Sequence, residues 1–285
     1  MKIVSTVVDL RDALRNSKSQ SFVPTMGNLH AGHLSLIEQA RMVGDCCVAS
    51  IFVNPLQFGA NEDFGSYPRT MDRDCELLEK KGCDLLFAPT IGDLYPEPQT
   101  FKLHPDPALA DILEGEFRPG FFTGVATVVM KLFQCVFAHA AQPGHAFFGQ
   151  KDFQQLLIVQ RMVQQFALPI TVHAVPTSRD FDGLALSSRN GYLSQEERRE
   201  ATALSQALEL IRGAVLAGGG DLEGLCAKQI ENLRTRGWQP DYLTVRRQAD
   251  LQRPAQSDTD LVVLGAARLG RTRLIDNMLM NRGSA

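Results

Sequence analysis

Residues 24–36 read PTMGNLHAGHLSL. A short apolar run, SFVPT at 21–25, leads into them. After them Leu36, Ile37, Ala40 and Val43 fall on one helical face. The stretch is therefore a strand-to-helix junction. Gly27 and Gly32 let its backbone turn sharply and come close to a ligand. His30 and His33 stand three apart within it. Three readings are open. The pair can bind a metal, but zinc needs at least one further ligand, and no partner cluster with ligand spacing stands out. The pair can cap a glycine-rich turn. Or the junction can grip phosphate. A helix start offers N–H groups and partial positive charge, and His33 can donate to a phosphoryl oxygen whose charge grows during reaction.

The surrounding pattern repeats the strand–helix alternation. CCVASIFVN at 46–54 is almost wholly apolar, as expected of a strand covered on both faces. Residues 70–81 read as a helix closed by Gly82. Strands are expected at 84–89, 145–149 and 170–176, and helices at 124–140 and 151–166. Such alternation predicts a Rossmann-like α/β fold: a parallel sheet with helices on both faces and ligands at the carboxyl ends of its strands. Near residue 177 the pattern changes. RDFDGLALSSRNGYLS at 179–194 is polar and loop-like. Ser194 and Glu197 form a capping box predicted to open one long helix. AGGGD at 217–221 ends it, a second helix follows, and then come three strands. The last two read as a hairpin turning at Leu269–Gly270. The expected division is a Rossmann-like domain over 1–178 and a smaller C-terminal α+β domain over 179–285.

Composition narrows the function class. The formal net charge of −3 over 285 residues provides no global field for nucleic acid. No apolar stretch reaches the length of a membrane helix, and acidic residues come too early for a secretory leader. Six cysteines without a Cys-x-x-Cys spacing read as reduced and mostly buried, which points to the cytoplasm. The sequence has no G-x-G-x-x-G, P-loop, H-E-x-x-H or G-x-S-x-G motif.

His-x-Gly-His after a first strand resembles the signature of the nucleotidylyltransferase superfamily, shared with one class of aminoacyl-tRNA synthetases. The resemblance implies attack on the α-phosphate of ATP with release of pyrophosphate. It also implies a second phosphate-binding segment late in the chain, for which LALSSRN at 184–190 is the candidate. A longer ordered set is more specific: PTMGNLHAGHLSLI, SIFVNPLQFG, YPRT, RPGFFTGVATVVMKLF, FFGQKDFQQL and DGLALSSRNGYLS. Together these resemble the pantoate–β-alanine ligases over nearly the whole chain.

That resemblance implies a two-step reaction. Pantoate and ATP give pantoyl adenylate and pyrophosphate; the β-alanine amine then gives pantothenate and AMP. It implies His33, His30 and Lys151 as catalytic residues. The implied ATP site comprises Met26, Gly27, Asn28, Leu29, His30, Ala31, Gly32 and His33, then Gly149, Gln150, Lys151 and Asp152, then Ser178, Leu186, Ser187, Ser188 and Arg189. Gln57 and Gln155 would bind pantoate and β-alanine. Mg2+ would accompany ATP, with Asp74 a weak candidate ligand that reads more simply as a solvated helix residue. The C-terminal domain would be a lid, and the enzyme a cytoplasmic homodimer with no nucleic-acid or membrane partner. Four positions depart from the family pattern: Gln150 for glutamate, Phe153 for tyrosine, Phe121 for histidine and Leu186 for methionine. The competing readings are a nucleotidylyltransferase acting on a phosphorylated acceptor, and an ATP sensor or RNA-binding module on the same fold.

Overall fold

A computed structural model describes residues 1–60, 62–138 and 140–283. The chain divides into two compact units, one of residues 1–150 with 158–176, the other of 151–157 with 177–285.

The first unit is built on six parallel strands: β1 (Lys2–Val4), β2 (Gln20–Thr25), β3 (Cys46–Ile51), β4 (Leu85–Phe87), β5 (Gly144–Gly149) and β6 (Ile170–Val175). Their spatial order is β1-β4-β3-β2-β5-β6. From β2 the chain moves outward through β3 and β4, then returns to place β5 on the other side. The carboxyl end of β2 is thus the topological switch point, where open α/β sheets bind ligands.

Strand period decides the two faces. Val23 and Phe147 join a cluster with Leu36, Ile37 and Ala40 of α2 (Ala31–Ala40). Phe22 and Phe148, one residue away, face the opposite way and meet the edge of Phe133 at ring distances of 6.4 and 6.3 Å. Phe133 lies on the long apolar helix α4 (Phe121–Phe137). Helices therefore cover both faces, as the alternation requires. The longer helices before α4, besides α2, are α1 (Val7–Leu14) and α3 (Met71–Lys80), and short helical turns follow α3 at Ile91–Leu94, Pro107–Ala110 and Glu114–Phe117. The run 2–14, in which no element was predicted, thus holds a strand and a helix.

α5 (Phe153–Gln165) follows a 3₁₀ turn at Gln150–Asp152. In the second unit the Ser194–Glu197 capping box is present, but the expected long helix is broken at Ala201 into α6 (Gln195–Glu200) and α7 (Thr202–Leu216). α8 (Leu222–Thr235) precedes three antiparallel strands, β7 (Gln239–Arg247), β8 (Asp260–Leu269) and β9 (Thr272–Asn281). Leu269 pairs with Thr272, so the hairpin turns at Gly270–Arg271, one residue later than predicted, with Gly270 left-handed at φ 55°. Leu204, Leu208 and Ile211 of α7 cover this sheet through Leu243 and Val263.

Candidate active site

In the first unit, the residues after β2 form a turn held from several sides. Thr25 Oγ1 donates to Ser50 O at 2.7 Å and accepts from Gly27 N at 3.2 Å. Gly27 and Asn28 are both left-handed, at φ 83° and 50°. A side chain on Gly27 would be strained by that φ and pressed within 3.1 Å of Asp74 Oδ2 and Ile51 Cγ2. Asp74 is fully buried. It accepts from Asn28 N at 2.8 Å, Leu29 N at 2.9 Å and Thr70 Oγ1 at 3.0 Å. The solvated reading of Asp74 is therefore wrong: it is the acceptor that fixes the turn. Among the described residues no group of three His, Cys, Asp or Glu could hold a metal ion.

His30 is the N-cap of α2 and His33 its third residue, so the helix begins ahead of His33 rather than after it. His30 Nδ1 accepts from Gly32 N at 3.1 Å, and His33 Nδ1 accepts from His30 N at 3.4 Å. The rings lie 4.0 Å apart. Two readings thereby merge, for the histidines cap the helix and remain candidates for chemistry. A neutral ring that accepts at Nδ1 carries its proton on Nε2. Each imidazole is thus set as an Nε2–H donor by the backbone it caps. The open first-turn amides expected from the sequence are partly used: Gly32 N bonds His30, and His33 N bonds His30 O at 2.9 Å. Leu29 buries its side chain in the core and offers a ligand its backbone alone, whereas Ala31 is exposed.

Gln57 lies in a 3₁₀ turn, Pro55–Gln57, and is buried rather than superficial. Its Oε1 accepts from Asn54 Nδ2 at 3.0 Å, and its Nε2 points to Met26 Sδ at 3.3 Å. Asn54 also donates to Gly124 O and accepts from Tyr95 Oη and Leu56 N. With Oε1 occupied, the Gln57 amide presents its NH2 group beside the β2 turn. Gly124 is required here, since a Cβ would sit 2.1 Å from Leu56 O. Arg118 reaches the same turn through Gln57 O at 3.3 Å and forms a two-pronged pair with Glu62 at 2.6 and 2.7 Å. Phe121 carries the Arg118 guanidinium 3.6 Å from its ring centre. A cavity of about 340 Å³ opens beside the β2 turn, lined by Met26, Gly27, Phe52, Arg69, Thr70 and Asp74. Gly149 and Gln150 are half-buried at the end of β5.

In the second unit, Lys151 is half-buried, and its carbonyl accepts from Asn277 Nδ2 at 2.8 Å. Asp152 is exposed and Gln155 half-buried. Ser187 caps the 3₁₀ turn Ser188–Tyr192, its Oγ accepting from Arg189 N at 3.3 Å. Ser178 O accepts from Leu186 N at 2.9 Å, so the two ends of the 179–185 hairpin are tied. Lys151, Ser187, Asn190 and Asp276 line one small cavity. Sequence reasoning did not select Asn54, Arg118, Arg179 or Asn277. Only Asn54 carried a signal, as an Asn-Pro at the start of a turn.

The profile of the pantoate–β-alanine ligase family matches residues 2–279. The chain is 60% identical to the pantothenate synthetase of Paracidovorax citrulli over 280 residues, covering 97% of this chain and 99% of that one. Its identity to the Leptothrix cholodnii pantothenate synthetase is 59% over 289 residues, covering 98% and 99%. The pantothenate synthetase crystal structure from Thermus thermophilus superposes with a TM-score of 0.90 at 45% identity, covering 98% and 99%. That of the Francisella tularensis pantoate–β-alanine ligase, complexed with β-γ ATP and β-alanine, gives 0.81 at 31%, covering 98% and 97%.

Proposed function

We infer the mechanism from one premise: the chain belongs to the pantoate–β-alanine ligase family, and its activity is ATP-dependent formation of pantothenate from pantoate and β-alanine. A free carboxylate is a poor electrophile, because its charge is delocalised and oxide is a poor leaving group. The pantoate carboxylate therefore attacks the α-phosphorus of ATP first. An O–P bond forms, the α–β bridge breaks, and pyrophosphate leaves with the electron pair. The β-alanine amine then attacks the acyl carbon of pantoyl adenylate and AMP departs. The enzyme supplies no covalent nucleophile. It positions the reactants and stabilises charge on phosphate.

The observation that carries the assignment of residues is the doubled cap of α2. Both rings accept backbone N–H at Nδ1, so both carry their proton on Nε2, the form that can donate to a phosphoryl oxygen as its charge develops. His33, with His30, is the stabiliser of that charge. Residues 26–33 and 149–152 bind ATP, with Ser178 and residues 186–189, and Lys151 balances phosphate charge. Gln57 and Gln155 bind pantoate and β-alanine; the NH2 group of Gln57 can donate to a carboxylate or hydroxyl oxygen, and a glutamine such as Gln155 can also accept from a hydroxyl, which suits a dihydroxy acid. Mg2+ belongs to this proposal only as the counter-ion that the phosphates of the nucleotide would bring with them. Residues 179–285 act as a lid that keeps water from the adenylate. The enzyme works as a cytoplasmic homodimer, and no helix among the described residues is long and apolar enough to cross a membrane.

The test is ATP–pyrophosphate exchange with Mg2+ and without β-alanine. Exchange that requires pantoate, followed by AMP and pantothenate on adding β-alanine, is the expected result. Exchange without pantoate, or none from protein that binds ATP, would overturn the mechanism.

A further inference from the structure

Two segments assigned above to ATP, Lys151 and the Ser187–Arg189 loop, are separated in sequence yet share one anchor on β9. Arg179 forms a two-pronged pair with Asp276, at 2.7 and 2.8 Å, and Asp276 is almost fully buried. The same guanidinium donates to Gly183 O at 3.0 Å and to Asn277 O at 3.2 Å. Asp276 Oδ1 also accepts from Asn277 N at 2.8 Å. Asn277, 5% exposed, then donates from Nδ2 to Lys151 O at 2.8 Å. On the loop side, Arg179 bridges to Ala185, and Ala185 O accepts from Asn190 Nδ2 at 3.1 Å. The run 179–190 is thus one end of the assembly and Lys151 the other, with Asp276–Asn277 between them. Every member lies within the second unit.

We propose that Arg179, Asp276 and Asn277 form a positioning unit that keeps the Lys151 ammonium and the Ser187–Arg189 donors in fixed register for the triphosphate. The proposal rests on the assignment of those two segments to ATP. Its physical content is preorganisation. A lysine in a 3₁₀ turn has a mobile four-carbon stem, and fixing its backbone leaves only that stem to be ordered by the ligand. An Arg–carboxylate fork fixes orientation as well as distance, which a single-point pair does not. None of the three residues needs to touch substrate. Loosening them should harm adenylation, which handles a triphosphate, and spare the attack of β-alanine on preformed adenylate, which does not.

The experiment compares Asn277→Ala, Arg179→Lys, Lys151→Ala and the Lys151→Ala/Asn277→Ala double variant in full-length enzyme. Two assays are run: pantoate-dependent ATP–pyrophosphate exchange, and pantothenate formation from supplied pantoyl adenylate. Asn277→Ala and Arg179→Lys should each lose about tenfold to a hundredfold in exchange kcat/KM for ATP, the cost of a small misplacement. Both should keep the adenylate-consuming step within about twofold of wild type, because the attack there needs no triphosphate positioning. The double variant should be no worse than Lys151→Ala, since Asn277 acts through Lys151. Equal loss in both assays would show a merely structural role and overturn the proposal, as would fully multiplicative effects in the double variant. Wild-type exchange in Lys151→Ala would instead remove the ATP assignment beneath it. If Asn277→Ala does not fold, Arg179→Lys decides by the same two assays.

Discussion

His33→Ala removes one preorganised donor. It should slow adenylation by about two to three decades while the protein still melts cooperatively; pyrophosphate exchange and calorimetry check the two parts. Wild-type turnover would exclude His33 from the chemistry. Asp74→Asn tests the turn rather than the reaction. The amide cannot accept from both Asn28 N and Leu29 N, so one buried N–H loses its partner. Destabilisation of about 1–3 kcal/mol is expected, measured by denaturant unfolding. The residue type alone gave no hint of this. MDRDCELLEK is strongly polar, and an aspartate near the start of such a helix reads as solvated. Its complete burial became visible only when the β2 turn was seen folded over it. The histidine pair was legible as a site; that each ring is held by backbone N–H at Nδ1 was not.

The elements were read most surely where hydrophobic period was unbroken. β3 and α4 are nearly continuous apolar runs; β3 lies within its predicted span, and α4 overlaps its own but starts three residues earlier, at Phe121. β1 escaped notice because three residues cannot display a period. The break at Ala201 escaped because alanine is the best helix former and announces no stop. Gly124 was quoted within a motif without its reason, the carbonyl of Leu56 that passes where a side chain would stand. At this scale β5 and β6 share a contact between two histidines. His145 Nδ1 and His173 Nε2 lie 3.1 Å apart, and Phe147 stacks on His173 at 4.4 Å. Burial first, and then His145, hold His173 below its usual 6.5. The unfolded chain therefore takes up the proton first as pH falls. This contribution to stability is complete above about pH 6.5 and is lost as pH drops toward the folded-state pKa. Thermal melts from about pH 8 to 5 should show that decline, and His173→Gln should flatten it. An unchanged slope in the variant would refute the assignment.

For the molecule as a whole, alternation of strands and helices was enough to predict a parallel sheet, and the shift near residue 177 to predict a different C-terminal architecture. What no local pattern conveys is the membership of residues 151–157. They group with 177–285, while the rest of α5 and β6 group with 1–150. Local periodicity predicts one uninterrupted helix over 151–166, whereas the chain makes a 3₁₀ turn to Asp152 and starts the helix at Phe153. The partition has a consequence for genetic dissection. Because the chain passes between the units after residues 150, 157 and 176, no single cut of the gene separates them. A fragment beginning at 177 lacks the Lys151 carbonyl to which Asn277 donates, and should be poorly folded when expressed by itself. Co-expressed with 1–176, it should recover a soluble, active split enzyme, readable by growth of a pantothenate auxotroph. A stable, cooperatively melting 177–285 fragment would show that residues 151–157 are dispensable to that unit; its failure would show that the unit is completed only by a segment that lies before β6 in the chain.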